Sequence, residues 1–185
     1  MNKALAGVLI AALAATGCSG LSNKEAKETN PAPCPNIVVL NDAARLVEFD
    51  GEQTLENVAY SAEITSAQIA CRYTGDKPIE AEVDLTMAFG KGPKGANGQK
   101  VFTYFVAVVR RDLEVIAKQE FPAPANFSDK RQIVVFEDDV DRIVIPRSRE
   151  GVSGVNFEVI VGFELTPQQA IFNRSGKSLK FPNIQ

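Results

Sequence analysis

Gly90-Lys91-Gly92-Pro93-Lys94-Gly95 spells G-x-G-x-x-G directly after an apolar alternation. In that pattern, backbone N–H groups at the start of a helix cradle a phosphate. The context predicts otherwise. Pro93, Asn97 and Gly98 lead into the apolar run Val101 to Val109 instead of a helix, and Ala96 stands where a P-loop requires Lys. The expectation is a long, positively charged hairpin loop whose Lys91, Lys94 and Lys100 meet an acidic partner or lipid headgroups. Glu137-Asp138-Asp139 with Asp141 is the densest carboxylate run and carries the oxygen donors that calcium takes. Ile143 falls where an EF-hand needs an oxygen, so the run reads as a solvated turn between two strands and no metal is assigned. In the segment 146–154, Arg147 and Arg149 are candidates to meet an anionic group.

Catalytic chemistry has little to draw on. The 185-residue chain contains no His, which removes the Ser-His-Asp and Cys-His nucleophile arrangements and the usual zinc and iron ligand sets. Neither a G-x-S-x-G elbow nor an S-x-x-K motif occurs, and no carboxylate pair stands out for glycoside chemistry. The chain is therefore read as a non-enzyme without a cofactor. With Lys plus Arg at 20 against Asp plus Glu at 23, it has no positive field for holding nucleic acid.

The three cysteines divide between two tasks. Lys3, the small and apolar run of residues 4–15, and Ala15-Thr16-Gly17 before Cys18 form a secretory signal resembling a lipoprotein lipobox, with Ala15 where Leu is preferred. The run is too short to span a hydrocarbon core of about 30 Å, so residues 1–17 are expected to be cleaved and Cys18 to carry the lipid. Acyl chains contribute about 0.8 kcal/mol per buried methylene, enough together to hold a domain on a membrane. Ser19 after the anchor points to the outer membrane on the periplasmic side, with inner-membrane anchoring as the alternative. Residues 18–33, polar and closed by prolines, read as a lipidated Cys followed by a flexible tether reaching about 50 Å at full extension. Cys34 and Cys71 remain, an even pair in an oxidising compartment, and are expected to form a disulfide. A redox or metal-ligating pair is the other possibility, which their spacing, far from C-x-x-C, does not favour.

These residues must be positioned by strands. Residues 34–185 form one domain in this reading, dominated by short runs of period two. Ile37 to Leu40 and Leu46 to Phe49 are strand candidates; Val58 to Ile64 and Ile69 to Tyr73 read as one strand bent at Thr65 to Gln68. Ile79 to Leu85 alternates with Glu80, Glu82 and Asp84, the pattern of a sheet with one wet face, and Met87 and Phe89 extend its dry side. Val101 to Val109 is apolar on both faces and reads as a central strand, forming a hairpin with Leu113 to Ala117. Ile133 to Phe136, Ile143 to Ile145 and Val155 to Phe163 complete seven to nine strands. With no helices of 10 to 15 residues between them, the fold expected is an all-β, antiparallel immunoglobulin-like β-sandwich, a small barrel being second. One short C-terminal helix is expected from Thr166 as N-cap, Pro167 at its first position and Gln169 completing a capping box. The tail 173–185, with Arg174, Lys177 and Lys180 around Leu179 and Phe181, is either a partner-binding arm or packed back on the domain.

Cys34-Pro35 followed by Val38, Val39, Leu40 and Asp42-Ala43, then Cys71, Tyr104 to Val108 with Lys118-Gln119, and Gly162 to Gln169 resemble a family of uncharacterised small outer-membrane lipoproteins of alphaproteobacteria. The resemblance covers nearly all of the mature domain and implies an envelope location and a shared fold, without any catalytic residue. The function expected is a non-catalytic cell-envelope lipoprotein that binds another envelope protein as an adaptor or assembly accessory. The alternative is a periplasmic binding module for a glycan, peptidoglycan fragment or small ligand.

Overall fold

The computed structural model describes residues 33–75, 77–112, 114–147 and 152–179. Among them, the apolar alternation forms eight strands: β1 (Asn36–Val39), β2 (Arg45–Phe49), β3 (Val58–Arg72), β4 (Ile79–Lys91), β5 (Gly98–Arg110), β6 (Val115–Phe127), β7 (Ile133–Ile145) and β8 (Phe157–Phe163). An α-helix, α1 (Pro167–Arg174), follows β8. One sheet has the order β1-β8-β5-β6 and the other β2-β3-β4-β7. The protein is an all-β sandwich of two four-stranded sheets. All pairings are antiparallel except β1 with β8, which run parallel from Asn36↔Glu158 to Val39↔Val161, a departure from the purely antiparallel expectation.

β4 shows why the chain folds this way. Ile79, Ala81, Val83, Leu85, Met87 and Phe89 are buried against the facing sheet, while Glu80, Glu82 and Asp84 stand in water. Burying each large apolar side chain contributes roughly 1.5–3 kcal/mol. Phe89 stacks on Phe102 of the facing sheet at 4.4 Å between ring centroids, with Phe163 at 6.3 Å, so the core is clasped by aromatic contacts between sheets. β3 is one strand, and its register shifts between Ile64 and Ser66, at the polar break seen in the sequence. β5 lies between β8 and β6, the central place expected for a run apolar on both faces.

Two elements differ from their sequence reading. β6 continues through Pro122 and Pro124, which face Thr103 and Val101 across the ladder. A strand tolerates proline on its free edge, where no N–H is required of it, and β6 is the last strand of its sheet. β7 runs unbroken through Glu137-Asp138-Asp139 and Asp141, so the acidic run is strand and not a turn. The exposed Glu137, Asp139 and Asp141 keep their charge hydrated, so the strand continues without burying them.

α1 is capped as its sequence dictates: the Thr166 hydroxyl accepts from the Gln169 N–H, and the Gln169 side chain accepts from the Thr166 N–H at 2.8 Å. Its Phe172 packs with Val47, Val58 and Phe49, and Leu179 joins them. Thus the tail folds back on the domain as far as it is described. The helix also covers the free edge of β2. Gln169 Nε2 donates to the Val47 carbonyl at 3.4 Å, and Asn173 Nδ2 to the Arg45 carbonyl at 2.7 Å. These alternate carbonyls point out of the sheet with no strand to receive them, and side chains one helical turn apart supply the donors.

Candidate functional site

β6 and β7 are joined by a tight turn in which Ser128 and Arg131 exchange main-chain hydrogen bonds of 3.1 Å each. They do not pair with each other, because β6 is bonded to β5 in one sheet and β7 to β4 in the other. Consecutive strands therefore diverge from their turn as the walls of a wedge, and the mouth of the wedge is a cleft of about 270 Å³ on the flank of the sandwich. Val106, Val108, Phe121 and Val140 are among its apolar lining residues, and Gln119 and Asp138 among its polar ones.

Asp138 pairs with Leu85 across the ladder and so shares the core side of its sheet. The Tyr104 hydroxyl donates to its Oδ2 at 2.7 Å. Tyr104 is fully buried and stacks on Phe121 at 5.3 Å. Burial, and then the bond to Asp138 and the negative charge there, push the Tyr104 hydroxyl well above the ordinary phenol range. Its hydroxyl proton is directed at the carboxylate and holds it in place.

The next turn of β7 is irregular. Val140 faces Val83 and Ile143 faces Ala81, so Asp141 and Arg142 together oppose Glu82 in a bulge. Arg142 has φ of 59°, the left-handed region that costs an L-residue roughly 1–2 kcal/mol. Asp139 and Asp141 add negative charge beside Asp138. Across the mouth, Lys118 is committed elsewhere: it pairs with Glu164 and, at 3.3 Å, Glu120, and its ammonium lies 4.7 Å from the Phe105 ring centre. The bond to Glu164, with help from Glu120, raises the Lys118 pKa against its partial burial.

Other residues singled out in the sequence are used within the fold. Cys34 and Cys71 form a disulfide. Beside it the Tyr73 hydroxyl donates to the Pro33 carbonyl and accepts from the Gly154 N–H, both at 2.7 Å. A Cβ on Gly154 would lie 2.5 Å from that hydroxyl, which is why the position is glycine. Arg147 lies over the Tyr73 ring at 5.2 Å and donates to the carbonyls of Lys77, at 2.7 Å, and Gly75. It clamps a turn and does not reach outward. Arg149 lies outside the described residues, as do Cys18, the signal, all of the tether before Pro33, Lys180 and Phe181.

The G-x-G-x-x-G segment is not a free hairpin loop. It carries the chain from one sheet to the other, and its Gly92 and Lys94 N–H groups donate to the Ala59 and Val58 carbonyls at 2.8 and 3.0 Å. Lys91 Nζ sits 2.5 Å from Asn97 Oδ1 and 3.4 Å from Asp129 Oδ1 with its side chain only 9% exposed, so it holds the crossover together. The Asn97 amide first, then Lys91, hold the Asp129 carboxyl below its usual range. Lys100 pairs with Glu48 at 2.7 Å and lies over Tyr60. Of the three lysines, Lys94 is the exposed one.

Sequence reasoning missed the Tyr104–Asp138 pair. Its only trace was an aromatic hydroxyl inside the most apolar strand. No protein-family model, curated protein or solved structure matches the chain. Among the described residues, no helix is long and apolar enough to cross a membrane, and no group of three or more acidic or Cys residues could hold a metal ion.

Proposed function

We propose that the protein is a non-catalytic cell-envelope lipoprotein, anchored through Cys18 to the outer membrane and facing the periplasm, that binds another envelope protein as an adaptor or assembly accessory. The observation that carries the adaptor reading is the wedge between β6 and β7. Two strand edges not used by either sheet flank a cleft lined by both apolar and charged side chains, in which the Tyr104 hydroxyl holds Asp138 from the facing sheet. Exposed strand edges with an apolar floor are surfaces for protein association. The anchoring rests on the signal and lipobox pattern, and a Cys34–Cys71 disulfide agrees with an oxidising compartment.

The cleft volume of about 270 Å³ favours the small-ligand reading less. It lies just below the roughly 300–1,000 Å³ typical of small-molecule pockets. A glycan or peptidoglycan fragment is the second reading.

The test is photocrosslinking in cells from a reactive side chain at Gln119, with one at Glu52 as control, and mass spectrometry of the intact protein. The expected outcome is one identified envelope protein captured at Gln119 and not at Glu52, on a chain lacking residues 1–17 and bearing acyl mass at Cys18. Equal capture at both positions would overturn the adaptor reading. An unmodified Cys18 would overturn the anchor.

A further inference from the structure

The strand edges that flank the cleft are guarded against ordinary strands. On β6, just past the cleft residue Phe121, Pro122 and Pro124 remove N–H donors from the edge strand. On β7, Asp138 is turned to the core side and the Asp141–Arg142 bulge interrupts the ladder. An added strand that covered Asp138 with an apolar side chain would strand a carboxylate away from water. One kind of strand escapes that penalty, namely one that brings a positive charge to the same spot.

The electrostatics of the mouth agree. Asp138, Asp139 and Asp141 line it, Lys118 is already paired with Glu164 and Glu120, and Arg142 is the one cation left among the residues lining the cleft. Tyr104 holds Asp138 Oδ2, which fixes the carboxylate in advance of any partner. Side chains two apart in an extended segment point the same way, so a segment that adds to β7 with a basic residue beside Asp138 has its i−2 and i+2 neighbours on the face that Val140 shares, in a cleft that Val106 and Phe121 also line.

We infer that the cleft takes an extended segment of a partner protein with the pattern apolar, any, Lys or Arg, any, apolar, whose cation meets Asp138 and whose main chain adds to a free strand edge. This rests on the adaptor reading and narrows its partner to a basic strand.

The experiment uses the purified mature lipoprotein in detergent and two fluorescent heptapeptides, one with Val, Thr, Lys, Thr, Val, Thr, Val and one with Glu in place of Lys. Fluorescence anisotropy should show the Lys peptide binding at least tenfold more tightly than the Glu peptide. Hydrogen exchange should show it protecting amides within 115–121 or 138–144. Asp138→Asn, which keeps an acceptor for Tyr104, should reduce the preference for Lys to less than twofold. Glu52→Gln, at an exposed position that does not line the cleft, should retain it. Should Asp138→Asn fail to fold, added salt must abolish the Lys preference of the natural protein. Equal binding of both peptides, or protection elsewhere, overturns the inference. So does a dimer that itself protects these lips, or their protection by the protein's own residues 180–185, since the occupant is then this chain. If the peptides fail while Gln119 still crosslinks to its envelope protein, the basic-strand inference falls and the adaptor reading stands. If both fail, the adaptor reading falls as well.

Discussion

The Tyr104 hydroxyl and the Asp138 carboxylate meet at 2.7 Å across the gap between the two sheets, one from a central strand and one from an edge. Neither sheet supplies both partners, so the bond ties the sandwich together on the side where its strands diverge. It also couples the fold to alkaline pH. Since the folded-state pKa of Tyr104 is raised, the stability linked to its proton is fully present below the unfolded value of about 10 and is lost as pH rises beyond it.

For Tyr104→Phe the expected outcome is a flatter stability profile at high pH. Chemical denaturation between about pH 10 and 12 should show a slope smaller by roughly 1.4 kcal/mol per pH unit, one proton's worth, than in the natural protein. At neutral pH the variant should be less stable by about 1–3 kcal/mol, the usual effect of removing a hydrogen bond to a charged group. An unchanged alkaline slope would contradict the raised pKa.

Replacing both Cys34 and Cys71 with Ala tests the disulfide. Closing a loop with a sequence separation of 37 restricts the unfolded chain by about 4 kcal/mol in the chain-entropy model. Urea unfolding should show a loss near that size. A loss below about 1 kcal/mol would mean that the unfolded chain is already ordered in this region or that the bond strains the native state.

The edge of β2 depends on Asn173, whose Nδ2 donates to the carbonyls of both Asp42 and Arg45. Asn173→Ala should lower unfolding free energy by about 1–3 kcal/mol, because two carbonyls lose their donor together. Light scattering should also rise under mild denaturant as the uncovered edge seeks other strands. A variant that is destabilised without scattering would limit the role of α1 to packing.

Pro122 and Pro124 have the converse signature. Replacing both with Thr should leave stability within about 1 kcal/mol, since the pairing of β6 with β5 needs no N–H from them. Sedimentation velocity should then detect self-association absent from the natural protein, as the free edge regains its donors. A variant that stays monomeric would show that the edge is protected by something other than proline.

What the sequence revealed follows the range of the interactions. The capping box of α1 was legible because Thr166, Pro167 and Gln169 act within four positions, and the alternation of β4 because a buried face needs period two wherever its partners lie. The second half of β6 was not legible, since Pro122 and Pro124 signal a break unless the strand is known to be an edge, and edge status is a property of the whole sheet. β7 was split at its carboxylates for the same reason. Asp138 is tolerated on the core side through a tyrosine 34 positions away, and nothing near Asp138 in the chain announces that donor. The parallel pairing of β1 with β8 joins residues more than a hundred positions apart and leaves no local mark. Lys91 and Arg147 looked like outward-reaching cations because charge alone does not disclose the carbonyls and carboxylates that the fold delivers to it.

The place of the disulfide decides how the domain bears tension. A pull on the chain ahead of Cys34 would, without it, unzip β1, a strand of four residues held on one side by β8. With the covalent link, force passes from Cys34 into Cys71 near the end of β3, a strand of 15 residues that pairs with β4 from Tyr60 to Arg72 and with β2 from Val58 to Glu63. Unfolding then requires shearing a ladder instead of peeling one. The Tyr73 hydroxyl bond to the Pro33 carbonyl lies just ahead of that link, outside the loop it closes.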